Sequence, residues 1–242
     1  MSEPTVPAPF VSPVAEIVRT EILGEPILFT ITDRKDLIQK HHLAGGFYEE
    51  EELEIIRQWC RPGSVFCDIG ANIGNHSLYA LKFLRVRSAI LFEPNPIAIN
   101  ILRSNLELNN VVRRCDLSNL GVGLSDTPGD GLAIVAPRKN LGAGRLVPSE
   151  DGSGSLKVVR GDDALAGRQV DFIKIDVEGM EMSVLAGLAQ TIARSRPRIF
   201  IEVSRENIPA FKAWGEQQGY SVAAKFKRYW SNVNFMVVPR PT

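Results

Sequence analysis

This sequence of 242 residues lacks three things that often mark a function: a net charge, a cysteine framework and a long apolar run. Its 28 lysines and arginines equal its 28 aspartates and glutamates, whereas proteins that grip a nucleic-acid backbone rely on excess cations. No apolar run reaches the roughly 18–20 residues that span a bilayer. The three cysteines are too few and too scattered for a disulfide scaffold or a cysteine-rich zinc site: Cys60, Cys67 and Cys115. We therefore expect neither a nucleic-acid nor a membrane partner.

The first residues of the chain are rich in proline. Residues 1–14 contain four prolines, which predicts an extended arm. A secretory leader would show a positively charged start followed by an apolar stretch, and neither is present here. We therefore expect a cytoplasmic, soluble protein without a signal peptide. An arm of this kind is also an element that a homodimer can use.

Short β-type runs alternate with helix-like stretches along most of the chain. This alternation is typical of an α/β protein with a mostly parallel sheet and helices on both faces. The last two runs lie close together, which predicts an antiparallel hairpin at one edge. A helix is expected over residues 50–60, where glutamates fill the first turn. The predicted strands cover residues 26–31, 64–69, 88–92, 119–124, 170–175, 198–203, 220–226 and 233–238.

A second helix is signalled by its capping residues. Asn95 and Pro96 are typical of an N-cap followed by a proline in the first turn. Within this helix one apolar stripe is formed by Ile97, Ile101 and Leu108.

The segment 126–159 interrupts the alternation. It holds one short strand candidate, residues 131–136, and then a stretch rich in glycine and serine. Loops of this length inside compact domains are often lids or binding loops, so we interpret it as an insertion over the site. The expected organisation is an N-terminal arm and cap segment over residues 1–60 and a ligand-binding domain over residues 61–242.

The strongest motif is VFCDIGANIG at residues 65–74. A strand ends near Asp68, the chain turns through Gly70, and a helix starts near Gly74. Glycines allow the backbone to approach a ligand closely, and a helix N-terminus offers free N–H groups to an anionic group. The motif has neither the GK[ST] of a phosphate-binding loop nor the middle glycine of GxGxxG. A tight turn that merely packs the helix on the strand is the alternative.

Acidic residues follow two of the predicted strands. Glu93 ends the strand after the glycine turn, where a carboxylate can accept both hydroxyls of a ribose. Asp176 and Glu178 follow the strand at residues 170–175. Ligands of open α/β sheets bind outside the carboxyl ends of the strands, so this pair is a candidate base or substrate orienter. The alternative is that Asp176 only caps the next helix.

The order of these motifs resembles that of one known family. DIGANIGNHSLYAL, LFEPNP, VGLSD, DFIKIDVEGMEMSVLAGL and RPRIFIEV follow one another as in the FkbM family of S-adenosylmethionine-dependent methyltransferases. The resemblance covers about residues 46–203, about two thirds of the chain. It implies a Rossmann-like class I methyltransferase fold with a seven-stranded sheet that ends in an antiparallel hairpin.

The resemblance also implies the cofactor and the residues that hold it. The glycine turn would hold the methionine part of S-adenosylmethionine, Glu93 would hold the ribose, and the loop at Ser125 and Asp126 would flank the adenine. The reaction would be an in-line methyl transfer to a hydroxyl of a sugar, a glycan or a polyketide-type natural product, with Asp176, Glu178 and Lys174 as catalytic residues. The implied cofactor-binding set is Asp68, Gly70, Ala71, Asn72, Gly74, Asn75, Glu93, Pro94, Asn95, Ser125, Asp126 and Asp176.

Three other functions remain open at this point. A nicotinamide-dependent oxidoreductase would share the Rossmann sheet, but it would need GxGxxG in the first turn. An RNA ribose methyltransferase would use lysines, and Lys174 has no second lysine in a matching place. A non-catalytic binding module would not need the acidic set. Catechol-type methyltransferases hold a divalent metal with carboxylates; since no clear third ligand joins Asp176 and Glu178, we expect no metal.

The run KFKRYW at residues 225–230 interleaves cations with aromatic residues. Such interleaving can suit nucleic acid. Because the patch is short and the chain is neutral, we interpret it as an exposed strand face.

Overall fold

The computed structural model describes residues 15–135, 145–149, 154 and 156–241. The predicted arm at residues 1–14 lies outside them. The helices are α1 Leu37–Leu43, α2 Glu50–Trp59, α3 Asn75–Phe83, α4 Pro96–Leu108, α5 Gly161–Leu165, α6 Glu181–Gly187, α7 Ala189–Ser195 and α8 Ile208–Gln217. The strands are β1 Glu16–Ile22, β2 Glu25–Ile31, β3 Val65–Ile69, β4 Ser88–Phe92, β5 Cys115–Asp116, β6 Val122–Ser125, β7 Gly129–Val135, β8 Arg145–Pro148, β9 Leu156–Arg160, β10 Phe172–Ile175, β11 Arg198–Ser204, β12 Tyr220–Phe226 and β13 Asn232–Pro239.

A seven-stranded sheet forms the centre of the fold, in the order β12-β13-β11-β10-β3-β4-β5. The strands from β11 to β5 run parallel, and β13 is antiparallel to both β11 and β12. Every residue of β3 and β10 is buried, as expected for parallel strands with helices on both faces. The predicted α/β fold with its C-terminal hairpin is confirmed.

The prediction of a third strand at residues 119–124 was right only in part, because among the described residues of this run only Leu120 bridges to the main sheet, at Glu93 beyond the end of β4. The edge strand is β5, in which only Cys115 and Asp116 pair with β4. The predicted run, residues 119–124, instead leads into β6, which pairs with β9 in a separate four-stranded sheet. Leu124 of this run is buried in the core of the main sheet, and Leu120 packs at the margin of that sheet's other core. Strand β6 also packs against α6, where a side chain at Gly187 would clash with the Ser125 carbonyl.

The segment 126–159 contains more strand than the single candidate at residues 131–136 that we predicted. That candidate overlaps β7, and β8 and β9 add two further strands that complete the four-stranded sheet. Residues 136–144, 150–153 and 155 lie outside the described part of the chain. The division of the chain near residue 60 stays a prediction.

The stripe predicted on α4 is correct only in part. Ile101 is buried, but the Ile97 side chain is 59% exposed because it lies in the first turn, beside the Asn95 cap. The buried face is centred one residue further along the helix, on Ala98, Ile101, Leu102, Asn105 and Leu106.

The N-terminal hairpin was half predicted. Only β2 was predicted from the sequence. Strand β1 has no buried residue, and its apolar side chains are half-buried or exposed. Its signal was the turn at Leu23 and Gly24, both of which adopt positive φ angles, as in the two-residue turns of tight hairpins.

Asn105 of α4 and Asn109, the C-cap of that helix, attach this hairpin to the main sheet domain. Asn105 accepts a hydrogen bond from the Thr30 amide at 2.8 Å and donates one to the Ile73 carbonyl at 2.8 Å. Asn109 makes the same two-sided contact with the Leu28 amide and carbonyl, at 3.0 and 2.7 Å. These side chains satisfy backbone groups of β2 that no neighbouring strand would pair.

No helix within the described ranges is long and apolar enough to cross a membrane.

Asn105→Ala should lower the free energy of unfolding by about 2–4 kcal/mol, because it leaves the buried Thr30 amide and Ile73 carbonyl without hydrogen-bond partners. Urea unfolding followed by circular dichroism measures this. Arg103→Ala, at an exposed position of the same helix, is the control and should change little. Equal stabilities of the two variants would show that the asparagine does not anchor the hairpin.

Candidate active site

A cavity of about 260 Å³ opens where β3, β10 and β11 end. Among the described residues it is lined by Leu37, Ile38, Tyr48, Glu49, Gly70, Ala71, Asn72, Asn75, His76, Lys174, Asp176, Glu178, Glu202, Tyr229, Ser231 and Asn232. The predicted site residues in this lining are Gly70, Ala71, Asn72, Asn75, Lys174, Asp176 and Glu178. The predicted residues outside it are Asp68, Gly74, Glu93, Pro94, Asn95, Ser125 and Asp126.

The glycine turn packs directly on the strand that carries Asp176. Gly70 has a φ of +79°, and a Cβ there would lie 1.8 Å from the Asp176 carbonyl oxygen. The amides of Gly70 and Ala71 both donate to the Phe92 carbonyl at 2.9 Å, and the Asp176 amide donates to the Ile69 carbonyl at 3.0 Å. The ends of β3, β4 and β10 are thereby held in one arrangement, and only glycine fits at position 70.

Lys174 lies at the floor of the cavity, 3% exposed. Its Nζ donates to the Gly70 carbonyl at 2.8 Å and lies 3.3 Å from Asp68 Oδ1 and 3.7 Å from Asp176 Oδ2. Burial acts to lower the pKa of Lys174, but the carboxylates of Asp68, Asp176 and Glu49 outweigh it and raise the pKa above its ordinary value. Lys174 is therefore held in its ammonium form, in contact with the Gly70 carbonyl and with the carboxylates of Asp68 and Asp176.

Asp68 lies beneath the cavity with no exposed surface. Its carboxylate accepts a short hydrogen bond from the Ser77 hydroxyl and pairs with Lys174. The structure thus places Asp68 under the glycine turn, where it acts on the cavity through Lys174.

Three carboxylates come together at the cavity wall. The side chains of Asp176, Glu178 and Glu202 place carboxylate oxygens within 4.8 Å of one another. Glu202 accepts a short hydrogen bond from the side-chain amide of Asn232. Its sequence signal was its place near the carboxyl end of the strand RIFIEV. The expectation that no third carboxylate joins the pair was wrong, because β11 lies next to β10 in the sheet. Oxygen ligands of this kind suit hard divalent cations.

Glu49 adds a fourth acidic group from a different part of the chain. It precedes α2 with a φ of +62°, and its Oε2 lies 3.6 Å from His76 Nε2. Burial, then Asp176 and Glu52, raise the pKa of Glu49 to about 8. Burial, then Lys174, hold the pKa of His76 well below its ordinary value, so His76 is neutral.

Two further carboxylates of the cavity, those of Glu202 and Asp176, also have raised pKa values. Burial, then the nearby Asp176 and Glu49, raise the pKa of Glu202 to about 9. The pKa of Asp176 is raised mainly by burial, against the opposing effect of Lys174. Raised carboxyl pKa values near a cleft are typical of groups that exchange protons with a substrate.

The cover of the cavity comes from the N-terminal segment and from the connection between β12 and β13. The Tyr48 and Tyr229 hydroxyls are 2.6 Å apart. Asn75 fastens the first part of this cover, since its Oδ1 accepts from the Tyr48 amide at 3.0 Å and its Nδ2 donates to the Tyr48 carbonyl at 2.8 Å. No described residue of the segment 126–159, which we predicted as the second part of the cover, lines the cavity.

Glu93 lies behind the glycine turn. Its carboxylate accepts from the Asn72 amide at 2.7 Å and from the Asn95 amide at 2.8 Å. Burial raises the pKa of Glu93 to about 7, against the lowering effect of these two hydrogen bonds. Asn95 in turn caps α4 by accepting from the Ile97 amide.

Ser125 is the last residue of β6 and Asp126 follows it, beside α6. The Ser125 hydroxyl donates to the Asp126 carboxylate at 3.1 Å. Their predicted place beside an adenine stays a prediction.

Comparisons with known proteins agree with this architecture. The family model described as Methyltransferase FkbM domain matches residues 68–227. Hexuronic acid methyltransferase AglP of Haloferax volcanii is 27% identical over 177 residues, 71% of this chain and 68% of that protein. 2-O-methyltransferase NoeI of Sinorhizobium fredii is 30% identical over 166 residues, 61% of this chain and 66% of that protein.

A solved structure shows the same fold. Methyltransferase FkbM from Methylobacillus flagellatus KT superposes with a TM-score of 0.51 at 19% identity, over 76% of this chain and 50% of that chain. The fold is therefore that of the Rossmann-like methyltransferases.

The acidic cavity should make the ligand-free protein less stable as the pH rises. An unfolded glutamate titrates near pH 4.5, whereas Glu202 in the folded protein has a pKa of about 9. The folded state binds more protons between these values, so the free energy of unfolding falls as the pH rises through them. Glu202→Gln removes this contribution and should flatten the slope, as measured by urea unfolding at about pH 5, 7 and 9.

The matched control is Glu206→Gln, an exposed glutamate just beyond β11, which should leave the slope unchanged. Equal slopes for Glu202→Gln and the parent protein would contradict the burial of a charge at this position.

Proposed function

The chain belongs to the FkbM methyltransferase family, and we propose that it transfers a methyl group from S-adenosylmethionine to a hydroxyl of a sugar, a glycan or a polyketide-type natural product. The observation that carries the proposal is the junction of the glycine turn with the acidic cavity, through the contact of Gly70 with the Asp176 carbonyl. A turn that binds the cofactor and a carboxylate that serves the acceptor are thereby held at one place.

The residues at the turn fit this cofactor. Asn72 Oδ1 is buried and has no hydrogen-bond partner among the described residues, and an ammonium or hydroxyl donor of a bound ligand would satisfy it. Glu93 holds the turn from behind, and its oxygens have lone pairs left for a ribose diol. The carboxylates of the cavity suit a ligand that carries a positive charge. The residues proposed to hold the cofactor are Gly70, Ala71, Asn72, Gly74, Asn75, Glu93, Pro94, Asn95, Ser125 and Asp126, with Asp68 acting from beneath through Lys174. Asp176, which the resemblance also placed in this set, is assigned to the transfer step instead.

When bound, S-adenosylmethionine supplies a methyl group on a sulfonium, ready for displacement. The chain has to align the acceptor and take its hydroxyl proton. Asp176 is the proposed base, because its raised pKa brings it closer to neutral pH, where proton transfer is most effective. Lys174 holds Asp176 from below, and Glu178 lies beside it to orient the acceptor. Alignment of this kind supplies several kcal/mol of a reaction barrier.

The names of the relatives support an acceptor of the sugar type and transfer to an oxygen. One relative is a hexuronic acid methyltransferase and another a 2-O-methyltransferase. Because the chain belongs to this family, the nicotinamide-dependent oxidoreductase is no longer a candidate function. An RNA acceptor is disfavoured because Lys174, the one cation in the described lining of the cavity, is buried against Asp68 and so is not free to bind a phosphate. A cytoplasmic location and a homodimer stay predictions.

S-Adenosylhomocysteine should raise the thermal midpoint of the protein, while NAD should not. Binding to the folded state alone adds about 2.7 kcal/mol at a ligand concentration of about 100 times Kd. Glu93→Gln should raise the Kd for S-adenosylhomocysteine at least several-fold, because it removes charge from the ribose acceptor. Differential scanning fluorimetry and calorimetric titration measure both effects.

Glu107→Gln, an exposed position on α4, is the control and should bind like the parent protein. Stabilisation by NAD and not by S-adenosylhomocysteine would refute the proposed cofactor. An unchanged Kd in Glu93→Gln would remove the ribose assignment alone.

A further inference from the structure

An exposed tryptophan lies at the rim of the cavity. The Trp230 side chain is 74% exposed, although its chain neighbours Tyr229 and Ser231 both line the cavity. An indole ring carries a large apolar surface whose burial in a complex is favourable. Trp230 belongs to the run KFKRYW, which the proposed chemistry does not use.

The ring is held in place before any ligand arrives. The Arg205 guanidinium carbon lies 4.2 Å from the centre of the Trp230 ring, so a cation covers one face. The Arg205 amide also donates to the Ser231 carbonyl at 2.8 Å. A side chain that is already fixed loses little entropy when it binds.

The chain on either side of Trp230 is fastened as well. Arg228 pairs with Glu51 and Glu52 of α2, and Tyr229 contacts the Tyr48 hydroxyl. The connection between β12 and β13 is thus tied to the opposite side of the cavity mouth, which makes it a firm support for a flat ligand surface.

The groups beside the ring indicate the ligand. Asn232 and Glu202 offer hydrogen-bonding groups in the adjoining cavity. A pyranose ring presents C–H groups on one face and hydroxyls at its edge, so it matches an aromatic face next to polar side chains. We propose that Trp230, backed by Arg205, stacks against a pyranose ring of the acceptor and so determines which acceptors are used. This inference rests on the proposed methyl transfer to a hydroxyl.

A nucleobase would stack on the same ring. Its phosphates would meet cations that are already engaged, because Arg228 pairs with Glu51 and Glu52 and Lys174 is buried against Asp68. The observations therefore favour a sugar without phosphate, and nucleotide binding becomes an outcome of the test.

The test compares the parent protein with Trp230→Ala and Trp230→Phe in the presence of S-adenosylhomocysteine. The probes are methyl glycosides of glucose, galactose and mannose and the β-linked disaccharides of these sugars, and saturation-transfer NMR measures their Kd values. We expect binding by the parent protein and by Trp230→Phe, and a Kd at least tenfold higher for Trp230→Ala. Val222→Ala, an exposed position on β12, is the matched control.

Failure of the subsite is distinguishable from failure of the proposed function, because the Kd for S-adenosylhomocysteine is measured on the same samples. The Kd for S-adenosylhomocysteine should agree within about twofold among all variants. If the parent protein does not bind S-adenosylhomocysteine at all, the proposed function itself is refuted. Sugar affinity that is unaffected by Trp230→Ala, no sugar binding by the parent protein, or tighter Trp230-dependent binding of oligouridylate would each overturn the sugar subsite.

Discussion

The buried pairing of Lys174 with Asp68 is the interaction on which the rest of the site depends. An ammonium inside a protein is tolerated only where carboxylates and hydrogen-bond acceptors surround it. Here Asp68, the Gly70 carbonyl and Asp176 supply them, and Ser77 completes the environment of Asp68. One cation thereby joins the strand that ends in the glycine turn to the strand that ends in Asp176. The position of the turn depends on this contact, and the same cation opposes the effect of burial on the pKa of Asp176.

The neutral charge of the chain conceals an uneven distribution. Four carboxylates, those of Glu49, Asp176, Glu178 and Glu202, line one small cavity, while Lys174 is the cation beneath them. Burial and mutual repulsion raise the pKa values of several of these groups, which is a cost to the stability of the empty protein. A positively charged cofactor offsets that cost when it binds. Functional sites that require strained or charged groups commonly lower the stability of the folded protein in this way.

Much of the fold could be predicted from the sequence, because the elements of the central sheet carry local signals. The glycine turn, the Asn95 cap and the alternation of strands and helices depend on residues close together in the chain. The parts that escaped prediction depend on contacts between distant residues. Tyr48 and Tyr229 meet across 181 positions, and Glu202 joins Asp176 because their strands are neighbours in space. Strand β5 is too short to carry a pattern, so an apolar run further along was assigned its place.

The central claim is that Asp176 serves the transfer step and not the binding of the cofactor. The most direct measurement compares Asp176→Asn with the parent protein, using methyl-labelled S-adenosylmethionine and a panel of hydroxylated acceptors, together with calorimetric titration of S-adenosylhomocysteine. The account predicts that methyl transfer falls at least about 100-fold, as for loss of a positioned base, while cofactor affinity changes by no more than about threefold. Undiminished transfer by Asp176→Asn would contradict it.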